Sequence, residues 1–151
     1  MHAQLHTDGG ARGNPGPAGI GVVLTGEQGE VIGELAEALG VRTNNEAEYL
    51  GLIAGLELAR DKGVTRLDVF MDSKLVICQM RGEWKIKSDT LRQLAVQARK
   101  LARGFEKVTF NHVRREHNSG ADRLANQAMD AAALDEELDA ESRPEQGSLL
   151  E

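Results

Sequence analysis

The stretch TDGGARGNPGPAG at residues 7–19 lies between two short apolar runs near the start of the chain. Ten of the 17 glycines fall in residues 1–40, and glycine, proline and asparagine are typical of tight turns. The segment from Asp8 to Gly21 therefore predicts a turn between strands at His2–Thr7 and Gly19–Thr25. The stretch has neither of the spacings GxxxxGKS/T and GxGxxG, so it is not a nucleotide phosphate loop of those kinds.

Outward from this hairpin, the apolar period predicts a third strand and then a change to helical spacing. Thr43 and Glu46 have the spacing of a capping box, and the helix that follows ends near Lys62-Gly63. The remaining predicted elements are a buried strand at Leu67–Met71, helices at Lys74–Met80 and Thr90–Arg103, a strand at Lys107–Val113 and a helix at Ala121–Ala133. With the third strand at Val31–Ala38, this order predicts an α/β fold, a mixed sheet flanked by helices.

The length of 151 residues fits one domain, which we expect to span residues 1–135. The acidic residues 136–151 are expected to form a disordered tail. The single cysteine, Cys78, excludes an internal disulfide framework and a cysteine-based zinc site. The chain contains no apolar run of about 18 residues and no secretory signal pattern, so we expect no membrane partner and a cytoplasmic location.

The charge of the chain is divided unevenly along its length. The net charge is −6, yet residues 81–115 hold 10 basic and 3 acidic side chains. Residues 1–80 hold 6 basic and 11 acidic side chains, and residues 130–151 hold 1 and 8. A basic segment in an acidic chain indicates either a polyanionic partner or a solvated basic helix face.

Four carboxylates are placed where predicted elements begin or end. Asp8 and Asp72 follow strands, Glu48 lies early in a helix otherwise suited to packing, and Asp122 begins the last helix. Each has an ordinary explanation as a turn former, a solvated position or an N-terminal helix charge. Together they predict a site for two Mg²⁺ or Mn²⁺ ions, because clustered carboxylates need compensating cations and oxygen ligands suit these metals. Such a pair of ions fits nuclease or polymerase chemistry.

The chain resembles ribonuclease H of type 1 in four stretches that occur in the family's order. They are TDGGARGNPGPAG (7–19), TNNEAEYLGLIAGL (43–56), MDSKLV (71–76) and HNSGADRLAN (117–126). The resemblance covers roughly residues 1–130. It implies a five-stranded mixed sheet in strand order 3-2-1-4-5, with helices on both faces.

The resemblance also implies roles for individual residues. Asp8, Glu48, Asp72 and Asp122 would be the catalytic metal ligands, with Asp8 bridging two ions. Asn14, Asn44 and Asn45 match positions that contact the hybrid, and Thr43 matches one that binds a DNA phosphate. Lys74 falls where many members have a glutamine that contacts the hybrid. Gly9 lies in the bare backbone that would let a sugar-phosphate chain approach.

The chain departs from the family pattern in two places. Many members carry a catalytic histidine in a loop before the last aspartate, and here His117 is slightly preferred to Arg115 for that role. Some members insert an extra basic helix and loop, for which Arg81–Asp89 is too short. Trp84 and Lys85 remain in this region as candidate contacts to the substrate, although Trp84 could equally be packed between two helices.

The implied activity is hydrolysis of the RNA strand of an RNA/DNA hybrid, leaving 5′-phosphate and 3′-hydroxyl ends. The alternatives are a nuclease of the same fold that also cuts double-stranded RNA, and a non-catalytic hybrid-binding module. The binding module is the least favoured of these interpretations, because all four carboxylates are present. A monomer is expected, and members of this subtype also occur fused to a second domain.

Overall fold

The computed structural model describes residues 1–142, which form one mixed sheet with helices on both faces. The strands are β1 (His2–Ala11), β2 (Gly16–Gly26), β3 (Val31–Arg42), β4 (Arg66–Met71) and β5 (Lys107–His112). The helices are α1 (Asn44–Asp61), α2 (Lys74–Met80), α3 (Asp89–Ala102) and α4 (Ser119–Ser142), with a 3₁₀ turn at Arg115–His117.

The sheet has the order β3-β2-β1-β4-β5, which confirms the predicted fold class and strand order. β1 pairs with β2, and β2 with β3, in antiparallel fashion, whereas β1 with β4 and β4 with β5 are parallel. The β1–β4 pairing ends at His6 and Phe70, but the β1–β2 pairing continues to Ala11 and Ala18. The two central strands therefore part just before Asp8, at the kind of edge where α/β folds bind ligands.

The predicted turn over Asp8 to Gly21 is longer than the turn in the structure. β1 extends to Ala11 and β2 starts at Gly16, so only residues 12–15 connect the strands. The glycines were assigned to a turn, but several of them lie within the paired strands. In the strands, these glycines let helices pack closely against the sheet. Because β1 extends to Ala11, Asp8 lies inside β1 and not after it.

Two of these glycines let helices approach the sheet closely. A Cβ on Gly9 would lie 2.2 Å from the carbonyl oxygen of Ala47 in α1. On the opposite face, a Cβ on Gly21 would lie 2.1 Å from the carbonyl oxygen of Ala121 in α4. A larger residue would push either helix outward, so the glycines fix the distance of both helices from the central strands.

The main core lies between one face of the sheet and the helices α1 and α3, which cover that face. The capping box at Thr43 and Glu46 is formed and starts α1. The largest fully buried side chains include Tyr49, Leu5, Leu24, Leu52, Leu56, Leu67, Met71 and Ile77. This packing holds α1 rigidly behind the ends of β1 and β4, where its Glu48 is needed.

The last helix is longer than the sequence predicted. α4 runs to Ser142, so residues 136–142 of the expected tail are helical. Residues 143–151, the rest of that tail, lie outside the described residues, and the division at residue 135 remains a prediction. None of the helices within residues 1–142 is long and apolar enough to cross a membrane.

Candidate active site

The first two carboxylates are held together by one backbone amide. Asp8 and Glu48 are both buried. Gly9 N donates to Asp8 Oδ1 at 2.9 Å and to Glu48 Oε1 at 2.7 Å. The missing Gly9 side chain leaves room for α1 at this point, so Glu48 reaches the amide directly.

Asp72 completes a cluster of three carboxylates. It follows β4, the strand parallel to β1, and so lies beside Asp8 where the two strands part. One carboxylate oxygen from each of Asp8, Glu48 and Asp72 lies within 4.8 Å of the others. We call these three residues the acidic cluster.

The acidic cluster resists full ionisation. Burial, followed by the charge of Asp72, raises the pKa of Asp8 to about 7. Burial and then the charge of Asp8 raise the pKa of Glu48 well above its usual range. Burial and then the charge of Asp122 raise the pKa of Asp72. A bound cation would relieve this repulsion, and three close carboxylate oxygens suit a hard divalent ion.

Asp122 faces the acidic cluster from the first turn of α4, and Arg115 binds it. Arg115 Nε and Nη2 lie 3.1 and 3.0 Å from Asp122 Oδ1. Arg115 thus provides a positive charge at the edge of a strongly acidic site.

Asn118 is a positioning residue that the sequence analysis missed. Its side chain is 1% exposed, and its Nδ2 donates to the carbonyl oxygen of Thr7 at 2.9 Å. Its backbone carbonyl oxygen accepts a hydrogen bond from Asp122 N at 3.0 Å. Asn118 therefore ties the residue before Asp8 to the helix that carries Asp122. The sequence signal for Asn118 is its position directly after His117 in the HNSGAD stretch, four residues before Asp122.

An open groove of about 370 Å³ contains three of the four predicted ligands. We call it the acidic groove, and its lining residues are Asp8, Gly9, Gly10, Ala11, Arg12, Asn44, Asp72, Arg115, Asp122, Asn126 and Met129. Glu48 lies behind this lining, buried against Gly9. His117 is exposed in the 3₁₀ turn and does not line the groove. Of the two candidates, Arg115 lines the acidic groove and His117 does not.

The predicted asparagines and Thr43 surround the hairpin end of the acidic groove. Asn44 Oδ1 accepts from Ala11 N at 2.8 Å, and Asn14 Oδ1 accepts from Asn44 N at 3.0 Å. Asn14, Thr43 and Asn45 also line a second groove of about 370 Å³, together with Glu46, Ser88, Thr90 and Leu91. The structure thus brings these candidates into one polar surface next to the acidic groove.

The loop between α2 and α3, residues 81–88, carries the remaining candidates. Trp84 is 45% exposed, so the alternative of a packed tryptophan is wrong. Lys74 Nζ lies 6.0 Å from the centre of the Trp84 ring, within reach of a cation–π interaction. The buried Gln79 accepts from Tyr49 Oη at 2.6 Å and donates to the carbonyl oxygen of Lys85 at 3.2 Å. This exposed loop is therefore anchored to the core through Tyr49 of α1.

Comparisons with known proteins agree with this arrangement. The family described as "Reverse transcriptase-like" matches residues 6–128. The chain is 51% identical over 142 residues to the bifunctional protein Rv2228c of Mycobacterium tuberculosis, covering 93% of this chain and 39% of that protein. The solved N-terminal RNase H domain of Rv2228c is 50% identical, with a TM-score of 0.88, covering 89% of this chain and 98% of that one.

Two further relatives carry ribonuclease H names. Ribonuclease HI of Halobacterium salinarum is 45% identical over 132 residues, covering 87% of this chain and 65% of that protein. LC11-RNase H1, solved in complex with an RNA/DNA hybrid, is 41% identical with a TM-score of 0.82, covering 86% of this chain and 98% of that one.

A mixed sheet with a cluster of carboxylates where β1 and β4 part is the arrangement of a ribonuclease H-like protein. The chain belongs to the ribonuclease H family. It spans 39% of the length of the mycobacterial relative.

Proposed function

We propose that this chain is an endoribonuclease that hydrolyses the RNA strand of RNA/DNA hybrids, leaving 5′-phosphate and 3′-hydroxyl ends. One observation carries the proposal: Asp8, Asp72 and Asp122, distant in sequence, line one open groove with Glu48 buried behind it, and a polar surface adjoins this groove.

The four carboxylates would hold two Mg²⁺ or Mn²⁺ ions. The donor set fits these ions, because it consists of carboxylate oxygens. Burial and the neighbouring negative charges raise the pKa values of Asp8 and Glu48, and a bound cation would offset both effects. When bound, such ions activate a water and stabilise the leaving oxygen of the phosphodiester. The chain itself holds Glu48 in place through Gly9 N and Asp122 through Asn118.

The asparagines would recognise the RNA strand by its 2′-hydroxyl groups. Asn14 and Asn44 each use their side-chain oxygen within the protein, which leaves the Nδ2 groups to donate to a ligand. Asn45 and Gly9 would complete this contact, since the 2′-hydroxyl is what distinguishes RNA from DNA.

The opposite strand of the hybrid would lie along Thr43 and the loop after α2. Thr43 would bind a DNA phosphate, while Trp84, Lys74 and Lys85 offer an aromatic face with adjacent positive charge. The loop lacks a long basic insertion, so hybrid binding will involve few phosphate contacts and a small salt dependence.

Arg115 would contribute the positive charge that the family's loop histidine contributes elsewhere. Its guanidinium lines the acidic groove and lies against Asp122. A cation there can bind the phosphate of the product and assist its release. His117 stays a weaker candidate for this role, because it lies outside the groove lining.

The setting of the reaction is also part of the proposal. We propose a monomer acting in the cytoplasm, in keeping with the single buried cysteine, and a fused second domain in the full-length protein. The length of the mycobacterial relative supports the fused domain.

The test is cleavage of a labelled RNA/DNA hybrid with Mg²⁺ or Mn²⁺, beside the same RNA single-stranded and as an RNA duplex. Asp8→Asn should abolish cleavage of the hybrid while Asp61→Asn, at the exposed end of α1, retains it. Cutting of the RNA duplex as well would widen the substrate class. Hybrid binding without cleavage in either metal would leave only a binding module.

A further inference from the structure

Arg12 crosses from the tip of the first hairpin to the last helix. Its Nη2 lies 2.8 Å from Asp130 Oδ1 and 3.3 Å from Asn126 Oδ1, both on α4. Within residues 1–142, its Nε and Nη1 make no hydrogen bond. The guanidinium therefore keeps most of its five N–H donors for another partner.

This contact is poorly suited to hold the fold together. The side chains of Arg12 and Asp130 are 47% and 70% exposed, and ion pairs this open to solvent contribute little to stability. The neighbouring structure is already fixed without it: Arg12 N donates to the carbonyl oxygen of Pro17, and Gly19 packs directly against Ala128. The arginine side chain is thus free to change partner at low cost.

Arg12 lies where it can contact a ligand bound in the acidic groove. Arg12 and Asn126 line that groove with Asp8 and Asp122. Asn126 Nδ2 donates to the carbonyl oxygen of Asp122, so Arg12 contacts the same helix about one turn beyond the metal ligand. A strand cleaved at the carboxylates must pass this point, and its phosphates repeat at a spacing of a few ångströms.

We propose that Arg12 binds a phosphate of the RNA strand next to the one that is cleaved, and that Asp130 competes with this phosphate for the guanidinium. This assignment rests on the proposed function of the acidic groove. In the free protein Asp130 holds Arg12 against α4. In the complex the phosphate, with its charge and paired oxygens, replaces Asp130 as the partner of the planar guanidinium.

Because Asp130 competes with the phosphate, removal of Arg12 and removal of the Asp130 charge should change hybrid binding in opposite directions. Loss of either partner of a purely structural ion pair would change binding in the same direction. Removal of Arg12 takes away a phosphate contact. Removal of the Asp130 charge releases Arg12 and leaves its positive charge uncompensated. If the pair only clamped α4 to the hairpin, loss of either partner would weaken binding in the same direction.

The experiment measures hybrid binding and its salt dependence in an Asp8→Asn background, where the substrate stays intact. Arg12→Gln should weaken binding on the order of fivefold to tenfold and reduce the salt slope by about one phosphate contact. Asp130→Asn should tighten binding by about twofold or more, and this gain should vanish when Arg12→Gln is also present.

Arg60 and Asp61 provide the matched control, because they form an exposed pair at 3.1 Å at the far end of α1. Arg60→Gln and Asp61→Asn should leave binding and its salt slope unchanged. Weaker binding in both Arg12→Gln and Asp130→Asn, or unchanged binding in both, would overturn the assignment. Wild-type cleavage measured in parallel separates the two proposals: a protein that neither binds nor cuts the hybrid defeats the proposed function, whereas normal cleavage with an inert Arg12→Gln defeats only the role of Arg12.

Discussion

The acidic cluster and the loop after α2 are built in opposite ways. Asp8 and Glu48 are buried, share one backbone amide and depend on a helix packed against a glycine. Trp84 and Lys85 lie on an exposed loop that one buried side chain, Gln79, anchors. The first region sets geometry and the second supplies contact area and charge.

This difference determines how each region responds to change. A buried cluster cannot adjust when a neighbour moves, because its oxygens are held by packing and by the shared hydrogen bonds from Gly9 N. An exposed loop loses one contact at a time. Changes near the cluster should therefore abolish function, and changes in the loop should reduce affinity in steps.

The largest effect is expected from Gly9→Ala. The added Cβ would lie 2.2 Å from Ala47 O and 2.8 Å from Glu48 N, so α1 must move and take Glu48 with it. We expect a loss of about 3 kcal/mol of unfolding free energy and about a hundredfold loss of cleavage rate. Thermal unfolding and hybrid cleavage measure both.

The matched control for Gly9→Ala is Gly120→Ala. A Cβ there would lie 3.5 Å from the side chain of Val23 in β2, an ordinary van der Waals contact. Its stability should equal or slightly exceed that of the wild type. Equal stability and activity of Gly9→Ala and the wild type would show that close packing does not position Glu48.

A smaller effect is expected from pH in the absence of divalent ions. The pKa of Asp8 is raised to about 7 in the folded protein, whereas the unfolded chain has an ordinary carboxyl pKa. Near neutral pH the folded protein therefore keeps a proton on Asp8 that the unfolded chain releases. The wild type is therefore penalised above pH 7, and this penalty shrinks as the pH falls from about 7 towards the ordinary carboxyl pKa. Asp8→Asn, which lacks this group, should be more stable than the wild type near pH 8.

The measurement is the stability difference between Asp8→Asn and the wild type, which should shrink by about 2 kcal/mol from about pH 8 to about pH 5.5. The comparison with Asp8→Asn removes the opposing contribution of His6, whose pKa burial lowers. A difference that stays constant across this range would mean that the cluster is not under electrostatic strain.

The smallest effect is expected from Trp84→Ala. Loss of the exposed ring should raise KM for the hybrid by about tenfold with little change in kcat, because no carboxylate moves. Val96→Ala removes another exposed apolar side chain, on α3, and should change neither constant. A fall in kcat instead of a rise in KM would place Trp84 in the acidic site and remove the contrast between the two regions.

Most of the fold was predictable because its signals are local. The capping box at Thr43 and the apolar period of the following helix indicated α1, and the strand order followed from the family resemblance. The extent of β1 and β2 was not predictable in the same way. Glycine favours turns by local preference, and its use at Gly9 and Gly21 depends on helices that come later in the chain.

The site shows the same division between local and distant information. The four carboxylates were identified from their positions at the ends of elements and from the resemblance. Asn118 was missed because its role lies in a contact with Thr7, over a hundred residues away. Similarly, no pattern around Trp84 could distinguish an exposed ring from a packed one, since that depends on how α2 and α3 meet.

The order of the carboxylates along the chain also has a consequence for biosynthesis. Asp8, Glu48 and Asp72 are made in the first half of the chain, but Asp122 belongs to α4, the last helix within residues 1–142. A chain emerging from the ribosome thus carries an incomplete groove, and the face of β2 around Gly21 stays uncovered, until α4 docks. A partly made chain that has not yet released α4 from the ribosome therefore lacks the full set of candidate metal ligands.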